Sequence, residues 1–255
     1  MVPAVTSRVD SAKALVAAAS REFGDSLAVL TSFQREGVVI IDLVMQAEIR
    51  VPVMTIDTGR LPAATLEMIE TIEARYGITV ERILPDPNEV AAMVSQHGRD
   101  LFYEGIAQRS LCCNVRKVRP LARRMAGMAA YFTGLRREQS ESRAAVEAVD
   151  RTGSPVRISP LADWTAEDVA AYSLAQGLPE HPLYSAGYTS IGCDPCTRAV
   201  NPGEDERAGR WWWETDADKE CGLHFSPDGR VERTVDVFLR DVLTQAGSAK
   251  QGLSE

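Results

Sequence analysis

The chain has 255 residues, is 45% hydrophobic and carries a formal net charge of −8. That length buries a sizeable core as one α/β domain, and the acidic balance argues against a nucleic-acid binder. No apolar run reaches the roughly 18 residues of a membrane span, and residues 1–10 show no charged stretch leading into an apolar one, so no export signal is expected and a reducing cytoplasm is the expected location.

Residues 27–30 (Leu-Ala-Val-Leu) predict a short buried strand, and residues 38–47 an apolar helix after the break at 31–37. Residues 53–56 predict a second strand, ended by Asp57-Thr58-Gly59-Arg60. Pro62 suits the start of a helix over 63–76. A third strand is expected over 78–84, then a helix over 89–96 capped by Asp86 or Asn88. A helix is predicted from Cys113 to Met125 despite Pro120, a strand over 129–133, a loop over 134–142 and a strand over 156–158. Asp163 or Thr165 then starts a helix over 166–175. Strands alternating with helices at this spacing predict a parallel sheet with crossover helices. Ligands of such sheets bind beyond the carboxyl ends of the strands, where loops 31–37, 57–61 and 134–143 fall. From Gly177 the pattern gives way to Pro, Gly and charged residues. A strand or helix is expected within 231–244 and disorder over 246–255.

The charge is uneven. Arg116, Lys117, Arg119, Arg123, Arg124, Arg136, Arg137 and Arg143 make a basic middle, and Arg198, Arg207 and Arg210 a second basic group. Local cations on an acidic chain point to a small anionic ligand in a pocket. Loop 31–37 offers backbone N–H groups at a helix start for such an anion, but it lacks the Gly-Lys-Ser/Thr ending of a Walker A loop.

Five cysteines stand in an ordered pattern: Cys112-Cys113, Cys193-Asp194-Pro195-Cys196 and Cys221. In a reducing compartment such sets are metal ligands or redox groups more often than disulfides. Four thiolates suit zinc or an iron–sulfur cluster. Adjacent cysteines diverge, which is awkward for one tetrahedral zinc and easier for a cube with separate iron corners. Cys221 lies in Glu220-Cys221-Gly222-Leu223-His224, where a nearby imidazole can favour the nucleophilic thiolate. The polar stretch 214–219 before it predicts a mobile segment. The chain is thus expected to divide into a core, 1–213, and a C-terminal segment, 214–255, carrying the thiol. Trp211-Trp212-Trp213 is expected to pack or to anchor the root of that segment rather than to stack on a base.

Taken together, these residues resemble the assimilatory adenylyl-sulfate (APS) reductases within the PAPS/APS reductase family, over about residues 27–225. The most specific matches are Cys112-Cys113 with Cys193-Asp194-Pro195-Cys196-Thr197-Arg198, and Glu220-Cys221-Gly222-Leu223-His224. Residues 56–61, 133–140 and 202–213 also match. The resemblance implies a Rossmann-like, adenine nucleotide α-hydrolase-like fold. It implies thioredoxin-dependent reduction of APS to sulfite and AMP, with one [4Fe–4S] cluster per chain on Cys112, Cys113, Cys193 and Cys196. It implies Cys221 as nucleophile assisted by His224, with Lys117, Arg207 and Arg210 near the sulfate. Ser32, Phe33, Asp57, Thr58, Gly59, Arg60, Gly134, Arg136 and Arg143 are the expected substrate-binding residues. APS and thioredoxin are the implied partners, with no nucleic acid or membrane; a homo-oligomer is left open. Many family members have Ser-Phe-Gly-Ala-Glu where this chain has Ser32-Phe33-Gln34-Arg35-Glu36, and Arg35 adds a charge that bears on a 3′-phosphate. A PAPS or dual-specificity reductase is therefore the alternative. An ATP pyrophosphatase that thiolates tRNA would carry a Ser-Gly-Gly-x-Asp-Ser loop, which 31–37 lacks, and a non-catalytic metal-binding module would leave Cys221 without a purpose.

Overall fold

The computed structural model describes residues 3–140, 143–214, 224–225 and 231–232. Six strands, β1 (Leu27–Leu30), β2 (Val53–Ile56), β3 (Val80–Ile83), β4 (Ala130–Phe132), β5 (Val149–Asp150) and β6 (Val156–Ile158), form one sheet in the order β3-β2-β1-β4-β6-β5. Every adjacent pair is parallel except β5 with β6. Among the described residues, seven helices accompany it: α1 (Pro3–Phe23), α2 (Arg35–Gln46), α3 (Ala63–Tyr76), α4 (Pro87–His97), α5 (Ile106–Cys113), α6 (Arg119–Met125) and α7 (Ala166–Ala175). The expected parallel α/β architecture is the observed one. Two further short strands, β7 (His224–Phe225) and β8 (Val231–Glu232), pair antiparallel.

The sheet is apolar on both faces because its strands alternate between two cores. Leu27 and Val29 of β1 pack with α1, α2, α3 and α7, while Ala28 packs with Leu121 and Met125 of α6. Asp42 is buried on the first side and accepts hydrogen bonds from the Tyr76 hydroxyl at 2.8 Å and the Tyr172 hydroxyl at 2.6 Å, joining α2 to α3 and α7. Asp86, not Asn88, caps α4, its carboxylate accepting from the Asn88 and Glu89 amides.

Three features depart from the expected elements. Helix α1 was not anticipated, although Val9, Ala12, Val16 and Ala19 are all buried and recur at helical spacing. The antiparallel edge strand β5 is too short to leave a pattern. The single helix expected over Cys113 to Met125 is three pieces: α5 ends at Cys113, a π-helical turn spans Asn114–Val118, and α6 follows. Pro120 has no N–H to donate and its ring crowds the preceding turn; a wider turn before it relieves both. Cys113 and Lys117 are therefore not one ordinary α-turn apart.

Strand β1 pairs with β2 on one side and β4 on the other. The chain winds away from β1 in both directions, so a crevice opens at the carboxyl ends of β1 and β4, where such folds bind ligands. Gly134 lets the two walls meet: a Cβ there would lie 2.6 Å from Glu36 Cβ and 3.1 Å from the Gly37 amide nitrogen. Gly134→Ala must push backbone aside at a cost of about 1–3 kcal/mol. We expect a thermal midpoint lower by several degrees, with weakened binding of whatever ligand the crevice holds, in melting and titration experiments.

Candidate active site and cysteine cage

The crevice is a cavity of about 620 Å³. Of the expected site residues, Ser32, Thr58, Gly134, Arg136 and Arg143 line it, as do Lys117, Arg207 and Arg210. Phe33, Asp57, Gly59 and Arg60 do not. Phe33 is fully buried in the core with a left-handed backbone, φ +58°. Asp57 closes the turn after β2 by accepting from the Gly59 amide at 3.0 Å. Arg60 turns to the other side of that loop, pairing with Asp100 at 2.7 Å, donating to the Arg99 carbonyl at 2.7 Å and lying 4.9 Å over the Phe102 ring.

The cations of the cavity are unequally satisfied. Arg136 is buried and meets Glu36 at 2.9 Å and Glu138 at 3.2 Å. Arg35 pairs with Glu180 and stacks 4.0 Å over Tyr184. Arg143 donates to the Gln139 side-chain oxygen at 2.6 Å. Arg210 differs: it is 7% exposed, and no described carboxylate reaches it. Its Nη1 is 3.4 Å from the Ser190 hydroxyl, and its Nε has no hydrogen-bond partner among the described residues. A buried guanidinium without a counter-charge is costly and favours an anionic ligand.

Sequence reading missed the wall formed by residues 184–193. Gln34 explains how that wall is attached. Its amide nitrogen donates to the Ser32 hydroxyl at 2.8 Å, and its oxygen accepts from the Ile191 amide at 2.9 Å. The side chain that replaces the usual glycine thus ties loop 31–34 to a segment 157 residues away, a pairing with no local signature.

Beside the cavity, Cys112, Cys113, Cys193 and Cys196 line one enclosed space. All four are buried, and none forms a disulfide. The first two end α5, while Cys193 precedes and Cys196 closes a 3-10 turn, Asp194–Cys196. That turn is seated by the Asp194 amide donating to the Arg60 carbonyl at 2.8 Å and by Thr58 Oγ1 lying 3.2 Å from Cys193 Sγ. Lys117 and Cys193 line both the cage and the cavity. Burial pushes the Cys112 thiol up and the Cys196 thiol to about 12. Buried thiolates here thus require a cationic centre to hold them.

The cage wall also carries Arg60, Arg109, Arg116 and Lys117. Arg116 is buried, donates to the Thr58 carbonyl at 2.8 Å, leaves Nε without a partner and meets no described carboxylate. Four thiols facing an uncompensated guanidinium fit a group that is anionic once ligated, as an iron–sulfur centre with four thiolates is. The thiols share a space rather than a point: among the described residues no three His, Cys, Asp or Glu side chains are gathered tightly enough for a single metal ion. Cys221 lies outside the described residues. His224 falls on β7, but its side chain is not among those described.

A parallel sheet with a cationic cavity at its switch point is the architecture of open α/β proteins that bind anionic ligands at the carboxyl ends of their strands. Within that class, the chain belongs to the phosphoadenosine phosphosulfate reductase domain family, which matches residues 26–199. It is therefore an enzyme, an oxidoreductase acting on sulfur groups. It is 46% identical to an adenosine 5′-phosphosulfate reductase of Allochromatium vinosum over 78% of this chain and 79% of that one. It is 42% identical to the Burkholderia cepacia enzyme of the same name over 89% and 91%. Among solved structures, a phosphoadenylyl-sulfate reductase from Candida auris in a phosphate complex superposes with a TM-score of 0.63 at 26% identity, over 74% of this chain and 90% of that one. A Candida glabrata FMN adenylyltransferase, 12% identical with a TM-score of 0.55 over 92% of this chain and 81% of that one, shares the fold alone. Among the described residues no helix is long and apolar enough to cross a membrane.

Proposed function

We propose that this protein reduces adenylyl sulfate to sulfite and AMP with thioredoxin as reductant, in the cytoplasm. The observation that carries this reading is Arg210, a buried cation with no described counter-charge, in a cavity at the sheet's switch point beside four clustered thiols. The relatives named for this activity support the substrate.

The obstacle to the chemistry is repulsion between a thiolate and an anionic anhydride. Lys117, Arg207 and Arg210 offset it and stabilise the charge that grows on the leaving phosphate. The Cys221 thiolate, favoured by His224, attacks sulfur; a sulfur–sulfur bond forms, the bond from sulfur to the bridging oxygen breaks, and AMP leaves with its electron pair. A thioredoxin thiolate then attacks Cys221 sulfur and sulfite leaves with the pair of the sulfur–sulfur bond. The second thioredoxin thiol resolves the mixed disulfide, so thioredoxin is oxidised and Cys221 is restored. Thr58 and Ser32 offer hydroxyls to the nucleotide. Glu36 holds Arg136, and Gln34 holds the far wall. Cys112, Cys113, Cys193 and Cys196 would hold one [4Fe–4S] cluster, which when bound supplies fixed charge and shape beside Lys117 rather than electrons, since thiols provide both. Residues 1–213 act as the nucleotide and cluster unit, and 214–255 present the thiol.

Mass spectrometry after adding APS without thioredoxin tests the reading: a sulfonate adduct on Cys221 is expected, and an unmodified Cys221 in enzyme that turns over would sink it. A PAPS or dual-specificity reductase is the second reading, because Arg35 sits at the cavity wall. Glu180 already neutralises that charge, and exposed pairs of this kind shift affinities by at most about 1 kcal/mol. Arg35→Ala should therefore change the ratio of kcat/KM for PAPS to that for APS by less than about fivefold. A larger drop in PAPS use would assign Arg35 to a 3′-phosphate.

A further inference from the structure

Trp211 is the least exposed of the three consecutive tryptophans, at 1%, and its backbone is left-handed, φ +42°. A bulky side chain adopts that conformation only where its surroundings enforce it. The enforcing contacts lie on both sides of the wall between cage and cavity. The Trp211 amide donates to the Cys196 carbonyl at 3.2 Å, and its carbonyl accepts from the Glu214 amide at 2.9 Å. The indole lines the cage. Two guanidiniums lie over its ring: Arg109 at 4.4 Å from the centroid and Arg210 at 4.8 Å.

These two cations are treated differently. Arg109 Nε meets Glu214 Oε1 at 2.6 Å, with side chains only 2% and 4% exposed. Glu214, the first residue of the segment proposed to carry the thiol, is buried against Arg109 of α5. The carboxylate cancels one of the two charges beside the indole and so removes the repulsion that would drive Arg210 away. Arg210 keeps its charge. Among the described residues the indole face is its main anchor, with the long contact to Ser190 beside it. A desolvated guanidinium gains most from an indole among the aromatic faces.

We propose that Trp211 is a positioning residue: it holds Arg210 at the cavity wall, and the buried Arg109–Glu214 pair holds Trp211, so that the cysteine cage and the anion-binding end of the cavity share one support. This rests on the reading of the cavity as an APS site and goes beyond it, because it gives the cage a route to substrate affinity through Cys196, Trp211 and Arg210.

The test measures equilibrium binding by calorimetry in a Cys221→Ser background, where no turnover intrudes, with APS and adenosine as ligands. Adenosine lacks the anionic end that Arg210 serves. Trp211→Leu should weaken APS about tenfold, the loss of about 1.4 kcal/mol, and leave adenosine unchanged. Trp211→Phe, which keeps a weaker aromatic face and is the gentler change for folding, should weaken APS about threefold. In an Arg210→Ala background neither substitution should have any further effect on APS. Equal losses for APS and adenosine, or losses that add fully to that of Arg210→Ala, would show a merely structural role and overturn the proposal. If the chain with Cys221 intact, without thioredoxin, binds adenosine but not APS, the assigned substrate falls as well, an outcome distinct from the other two.

Discussion

Cys221→Ser should lower turnover about 10³-fold or more while changing APS affinity by less than about twofold. The reason is division of labour. Among the described residues, Ser32, Thr58, Gly134, Arg136, Lys117 and Arg210 line the cavity that would hold the nucleotide. None of these contacts needs the thiol. A hydroxyl at 221 is far less ionised than a thiol near neutral pH, so the nucleophile is lost with little change in shape. Steady-state turnover with thioredoxin and calorimetric APS binding separate the two quantities. Retained turnover would remove Cys221 from the mechanism, and lost binding would place it in the substrate site instead.

The second large effect is expected at the cage. Cys193→Ala removes a thiol that lines both cage and cavity. It strands the buried Arg116 guanidinium, which has no described carboxylate partner, and it frees Thr58 Oγ1 from its 3.2 Å contact. Uncovering a buried charge costs about 3–5 kcal/mol, which for a domain of this size lowers the melting temperature by roughly 10 °C. Iron content and visible absorption should be lost together with APS affinity, because Lys117 and Cys193 line both compartments and Thr58 of the cavity touches Cys193. A Cys193→Ala protein with unchanged melting and full metal content would refute the assignment of the cage. The same measurements identify its occupant, since zinc has no visible band.

Much of the fold was legible because its signals are local. Strands over 27–30, 53–56 and 156–158 and helices over 63–76 and 166–175 occur at the predicted bounds, each marked by an apolar run or a turn signal within a few residues. Helix α1 was missed, although the spacing of Val9, Ala12, Val16 and Ala19 carries its signal. The π-turn was not legible, since Pro120 announces a disturbance but not the register that resolves it. Lys117, Arg207 and Arg210 emerged from family motifs rather than from charge, because the cavity also contains Arg35, Arg136 and Arg143, which look the same in sequence.

Composition, strand–helix alternation and cysteine spacing by themselves determined the α/β class, the switch-point loops and the grouping of Cys112, Cys113, Cys193 and Cys196. These are properties of residue type and short-range order. Only the tertiary structure decided which cations are free to act, because a guanidinium's role depends on its neighbours. Glu36 and Glu138 quench Arg136, Glu180 quenches Arg35 and Glu214 quenches Arg109, all across distances set by packing except that of Glu138. Arg210 is left with an indole instead of a carboxylate, and that difference makes the cavity wall attractive to an anion.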